Sequence, residues 1–213
     1  MKKIFALLLA FAFVLGSFAL DVAGLPLTVG AGLSGGLASS SMSMTILSST
    51  NTLVNNTINY GFEAVVGLKY VQLGTGLQIA KFNGSSSTGG GTTTTTNASN
   101  AYQMFVPIQL LGMYPVAVGG ITLVPMAGLE YDVCVANKDA SGNDVTLTDT
   151  TGATVGLSYL SSLSAKLGVG AEFPLGDKLS IRPQVLASYG LYSAENSDVK
   201  KYVESLGATY GSY

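Results

Sequence analysis

The sequence predicts an all-β protein, specifically an eight-stranded antiparallel up-and-down transmembrane β-barrel. Three observations point there. Apolar residues recur at every second position through most of the chain, the mark of strands with one apolar face. Long polar connections alternate with short ones. Charge is scarce, at 10% of the 213 residues against about 25% in an ordinary soluble protein. No internal run reaches the roughly 20 apolar residues of a membrane helix, so the apolar content is spread one residue in two.

The chain divides into a predicted signal peptide, residues 1–19, and one domain, residues 20–213. Lys2 and Lys3 give the leader its positive start, Ile4–Leu15 its apolar stretch, and Ser17-Phe18-Ala19 a small-x-small cleavage site. Its removal leaves eight basic and twelve acidic residues, a net charge of −4. That balance excludes nucleic acid as a partner, which would call for a basic patch. Cys134 is the one cysteine, so no internal disulfide forms.

The elements follow in order. Strand one is placed at Leu25–Ser34, and Leu37–Thr57, rich in Ser, Thr and Asn, reads as a loop. Strand two, Ile58–Lys69, sets Ile58, Tyr60, Phe62, Ala64, Val66 and Leu68 against Asn59, Gly61, Glu63, Gly67 and Lys69, with Val65 out of pattern. Strand three, from Val71, follows after a turn near Tyr70. Asn83–Asn100 is a Gly, Ser and Thr tract with little to bury, expected to be mobile and water-exposed. Tyr102–Met113 and Ile121–Val135 are strands four and five, and Asn137–Gly152 is a third polar loop. Residues 153–162 fit either an outward extension of strand six or a separate short element. Strands six and seven form the clearest hairpin, Leu163–Leu191, turning at Gly176-Asp177-Lys178 and placing Glu172 opposite Arg182. A charged loop, Ser193–Ser205, leads to a short eighth strand, Leu206–Tyr213.

Two closed structures fit this pattern: a membrane barrel with its apolar face to lipid, and a soluble lipocalin-like barrel with that face turned inward. The polar face favours the first. It carries Glu63, Lys69, Glu130, Asp132, Lys166, Glu172 and Arg182, expected as a matched charge network in a narrow lumen, together with many glycines. Phe105, Leu111, Met113, Val124, Met126 and Leu186 break its polarity and could fill or line an apolar pocket there. The aromatics suggest two girdles at membrane interfaces: Tyr60, Phe62, Tyr102, Tyr131 and Tyr189 toward the long loops, and Tyr70, Tyr114 and Phe173 toward the short turns.

The hairpin Leu167–Tyr189, with its glycine-rich inward positions and the Glu-Phe-Pro-Leu-Gly-Asp-Lys-Leu turn, resembles the small eight-stranded bacterial outer-membrane barrels of the OmpA, OmpX and OmpW kind. The resemblance implies an outer-membrane location in a double-membraned bacterium and a porin-like cell-envelope protein. It also implies recognition of the terminal aromatic, Tyr213, by the barrel-assembly machinery. Enzymes of that architecture use catalytic histidines, and this chain has none. No catalytic residue, metal or cofactor is therefore expected. The expected role is structural or surface-interacting, with four external loops displayed to a host or envelope partner from a side-chain-filled, monomeric barrel in contact with membrane lipids. The alternatives are a narrow channel for small apolar or polar solutes, and a soluble lipocalin-like carrier of a lipophilic ligand.

Overall fold

The computed structural model describes residues 8–22, 25–46, 49–89, 92–97, 100–148, 154–156 and 161–193. They form twelve strands: β1 (Leu8–Val22), β2 (Leu25–Ile46), β3 (Ser49–Leu68), β4 (Val71–Gly89), β5 (Thr92–Asn97), β6 (Tyr102–Met113), β7 (Val116–Val118), β8 (Ile121–Lys138), β9 (Thr146–Thr148), β10 (Thr154–Gly156), β11 (Ser162–Pro174) and β12 (Leu179–Ser193). The hydrogen-bonded order is β11-β12-β1-β2-β3-β4-β6-β8-β7, with β5 on β4 and a further antiparallel ladder between β11 and β8.

Eight antiparallel strands form one sheet that curls through 262° and stays open, its edges 9 Å apart. Adjacent strands hydrogen-bond at about 4.7–4.9 Å, so the opening is roughly two strand spacings wide. β1, built from the stretch read as the leader, pairs with both β2 and β12. The sheet is an open half-barrel. The expected closed transmembrane barrel is corrected by this geometry, and the resemblance to the OmpA, OmpX and OmpW barrels, which are closed, does not hold. The outer-membrane placement and the porin-like character rested on that closure and fall with it.

Strand lengths depart from expectation in one direction. The stretch read as the loop 37–57 is a continuous ladder from Leu37↔Ile58 to Ile46↔Ser49. The glycine, serine and threonine tract after Asn83 extends β4 and turns back as β5 through pairs Gly84↔Asn97 to Gly89↔Thr92. Polar composition does not prevent pairing, because every backbone N–H and C=O still gains from a ladder partner and threonine suits strands. β2 and β3, at 22 and 20 residues, are about twice the ~9–11 residues that cross a bilayer. Residues 154–156 pair only with β9, as a separate two-stranded element. Of the expected terminal elements, Leu206–Tyr213 and nearly all of Ser193–Ser205 lie outside the described residues.

Burial follows the alternation read from the sequence. On β3, Phe62, Ala64 and Val66 are exposed while Glu63, Val65 and Gly67 are buried. Arg182 on β12 reaches Gln72 on β4 and Met113 on β6, strands that are not its neighbours. Only side chains on the inner side of a curled sheet can meet in that way, so the buried set occupies the concave face. Leu111, Val124, Met126 and Leu186 form its apolar core, with Met113 packed against them. Glycine lets neighbouring strands approach closely beside this core. A Cβ on Gly128 would run into the Leu110 carbonyl, and one on Gly168 into that of Val185.

Candidate functional site

Two polar groups lie on the concave face, separated by the apolar core. Along β6 the inward residues run Gln109, Leu111, Met113. Along β8 they run Glu130, Gly128, Met126, Val124. Gln109 and Glu130 therefore sit on one side of the Leu111–Met126 layer and Met113 on the other.

The first group centres on Lys166 and Glu130, joined at 2.5 Å with both side chains about 95% buried. The Gln109 amide donates to the same Glu130 oxygen at 3.2 Å. Gln78 donates to Glu63 at 3.4 Å, and the Ser162 hydroxyl to Asp132 at 3.5 Å. Three carboxylates thus share one lysine. Burial pushes the Asp132 carboxyl up to about 7, the Glu130 charge adds to this, and Lys166 and the Ser162 hydroxyl oppose it. Burial likewise raises Glu63, against the pull of Lys166 and with the push of Glu130.

The second group surrounds Arg182, which is buried. Its Nη1 donates to the Met113 sulfur at 3.3 Å and its Nη2 to Gln72 Oε1. Burial lowers the guanidinium from its ordinary value, and the charge of Glu172 opposes that. The flanking pairs Gly170↔Gln184 and Phe173↔Ile181 carry the register that sets Glu172 opposite Arg182. A cavity of about 140 Å³ opens beside them.

The expected single network is therefore two groups. Glu63, Glu130, Asp132 and Lys166 come together; Arg182 and Glu172 form the other; and Lys69 is exposed in the β3–β4 turn, its Nζ 5.1 Å from the Tyr70 ring centroid. Of the six candidate apolar lining residues, five meet in or against the core, and Phe105 is half-buried outside it. Tyr70, Tyr114 and Phe173 lie at or beside the short turns. Tyr60 and Phe62 lie mid-strand, because β2 and β3 run on beyond them, and Tyr131, Tyr189 and Tyr102 lie along β8, β12 and at the start of β6. Tyr213 lies outside the described residues. Gln72, Gln78 and Gln109, the amides that orient the charged groups, were not among the expected site residues. Their signal was present in the inward parity of each strand.

Cys134 is buried and donates to the Ala136 carbonyl at 3.4 Å. Among the described residues, no group of three or more His, Cys, Asp or Glu side chains is placed to hold a metal ion. No family model, curated protein or solved structure matches the chain.

These features correct the expected functions. A pore or channel needs a closed wall, and the sheet is open. A lipocalin-like carrier needs a closed cavity with the apolar face inward, whereas here the apolar face is exposed and the polar face buried. A closed outer-membrane barrel displaying four loops is contradicted by the same opening, and two of those loops are ladder.

Proposed function

We propose that the chain is a non-catalytic β-protein that associates with membrane lipid through the convex face of its half-barrel. The observation that supports this is the inversion of polarity across the sheet. Leu33, Phe62, Leu73, Ile108 and Leu167 are each more than half exposed, and neighbouring inward positions hold Gly32, Glu63, Gln72, Gln109 and Lys166.

Scattered exposed apolar residues are ordinary; a contiguous apolar surface is not, and it marks a face that meets another apolar phase. Burying apolar area is worth about 25 cal/mol per Å². A face that repeats over β2, β3, β4, β6, β8, β11 and β12 therefore favours acyl chains over water strongly. The concave side carries the charges where lipid does not reach, which spares them the cost of entering hydrocarbon unpaired.

The test is flotation of the purified chain with neutral phosphatidylcholine vesicles, so that charge attraction contributes nothing. The chain should float with the vesicles, and Phe62→Lys with Leu167→Lys should shift it toward the soluble fraction. A monodisperse chain that stays in plain buffer beside the vesicles overturns the proposal.

A further inference from the structure

The cavity beside Arg182 carries a chemical signature independent of the lipid-facing surface. Its volume is about 140 Å³, and Gln72, Arg182, Met113, Glu172, Lys69 and Thr28 are among its lining residues. Two buried polar atoms of these lining residues have no hydrogen-bond partner among the described residues: Arg182 Nε and Gln72 Nε2. Both are donors. Arg182 is 6% exposed and Gln72 1%. A buried donor left unsatisfied costs roughly 1–3 kcal/mol, and more when it is charged, so an acceptor is owed at this place.

The partners these residues do have sharpen the point. Arg182 spends Nη1 on a thioether, a weak acceptor. Gln72 accepts from Nη2 through its oxygen, which leaves its NH₂ as the free end. Glu172 also lines the cavity but makes no ion pair with Arg182 within 4.0 Å. Arg182 and Lys69 outweigh it by one charge. A cavity of ~150 Å³ takes a molecule of benzene size, so the space suits a small organic anion.

We propose that this cavity binds a small carboxylate, one oxygen accepting from Arg182 Nε and the other from Gln72 Nε2. A neutral water could accept from either donor but would leave the guanidinium charge unmatched. Two carboxylate oxygens answer both donors at once.

The chain contains one arginine, so its Nε–H gives a single nuclear magnetic resonance signal that reports directly on the site. The full chain in zwitterionic detergent is titrated with sodium acetate at constant ionic strength, with sodium chloride as the reference salt. The expected result is a saturable shift of the arginine signal with acetate and none with chloride, and at least a tenfold weaker response in Gln72→Leu. Should Gln72→Leu fail to fold, Met113→Leu replaces it: it keeps both donors and should keep the acetate response. A signal unmoved by acetate, or moved equally by chloride, overturns the proposal. Such a result would leave the lipid reading standing, since no lipid takes part in the titration.

Discussion

Asp132 is a side chain whose proton affinity folding raises. Its carboxyl is raised to about 7, first by burial and then by Glu130. A raised carboxyl binds its proton more tightly in the folded chain than in the unfolded one. The stability this contributes is complete at acid pH, below the ordinary carboxylate range, and is lost as pH rises through about 7. For one proton the slope is at most ~1.4 kcal/mol per pH unit. Denaturant titrations at pH 5 and pH 8 should show the chain more stable at pH 5, and Asp132→Asn should remove most of that difference. An unchanged pH dependence in the variant would assign the effect to other groups. Asp139 behaves in the opposite sense. It lies partly exposed, its Oδ1 accepts from the amides of Asn143 and Ser141, and these hydrogen bonds lower its carboxyl. Its contribution is therefore lost only in acid.

The residue positions were legible where a period of two was clean. Glu63, Glu130, Lys166 and Arg182 could be assigned to the polar face because their neighbours two away, Val65 excepted, were polar or glycine. Their grouping was not legible. Parity gives a side chain's face but not its height along the strand, and height depends on registers such as Glu130↔Ser164 and Gln109↔Glu130. Lys69 shows the limit: it has the right parity, but it sits in a two-residue turn where facing no longer applies.

At the scale of elements, the close approach of neighbouring strands depends on inward glycines. At Gly128 the Cβ of any larger residue would meet the Leu110 carbonyl and the Leu111 Cα. Because the obstacle is backbone rather than a side-chain end, it cannot swing away. Gly128→Ala should destabilise the sheet by about 1–3 kcal/mol, read as a lowered denaturation midpoint. Gly112→Ala is the control, since a Cβ there meets only the Ala127 carbonyl at 3.5 Å, an ordinary contact. Equal losses at both positions would deny the close-packing account. The elements themselves were only partly readable. Tyr102–Met113 is a strand with the bounds its alternation gives, and Leu179 opens β12 after the Gly176 turn, where φ is 130°. β2 to β5 were underestimated because Ser, Thr, Asn and Gly tracts signal loops by composition, while the pairing of a long hairpin continues as long as its partner does.

For the whole molecule, alternation predicts a sheet with two unlike faces but is silent on how far that sheet curls. A closed barrel and an open half-barrel share the same pattern of apolar and polar residues. They differ in accumulated twist and shear, which no single strand's sequence records. The 262° curl with edges 9 Å apart therefore lay beyond a reading of periodicity, whereas the inversion of polarity lay within it. That inversion is the property on which the proposed function depends. Its most direct measurement is a cysteine scan of Phe62 to Gly67 in a Cys134→Ser background, with a fluorophore at each position and a lipid-soluble nitroxide quencher in phosphatidylcholine vesicles. Quenching should peak at positions 62, 64 and 66 and fall at 63, 65 and 67. A flat profile, or one with the opposite parity, would contradict the account.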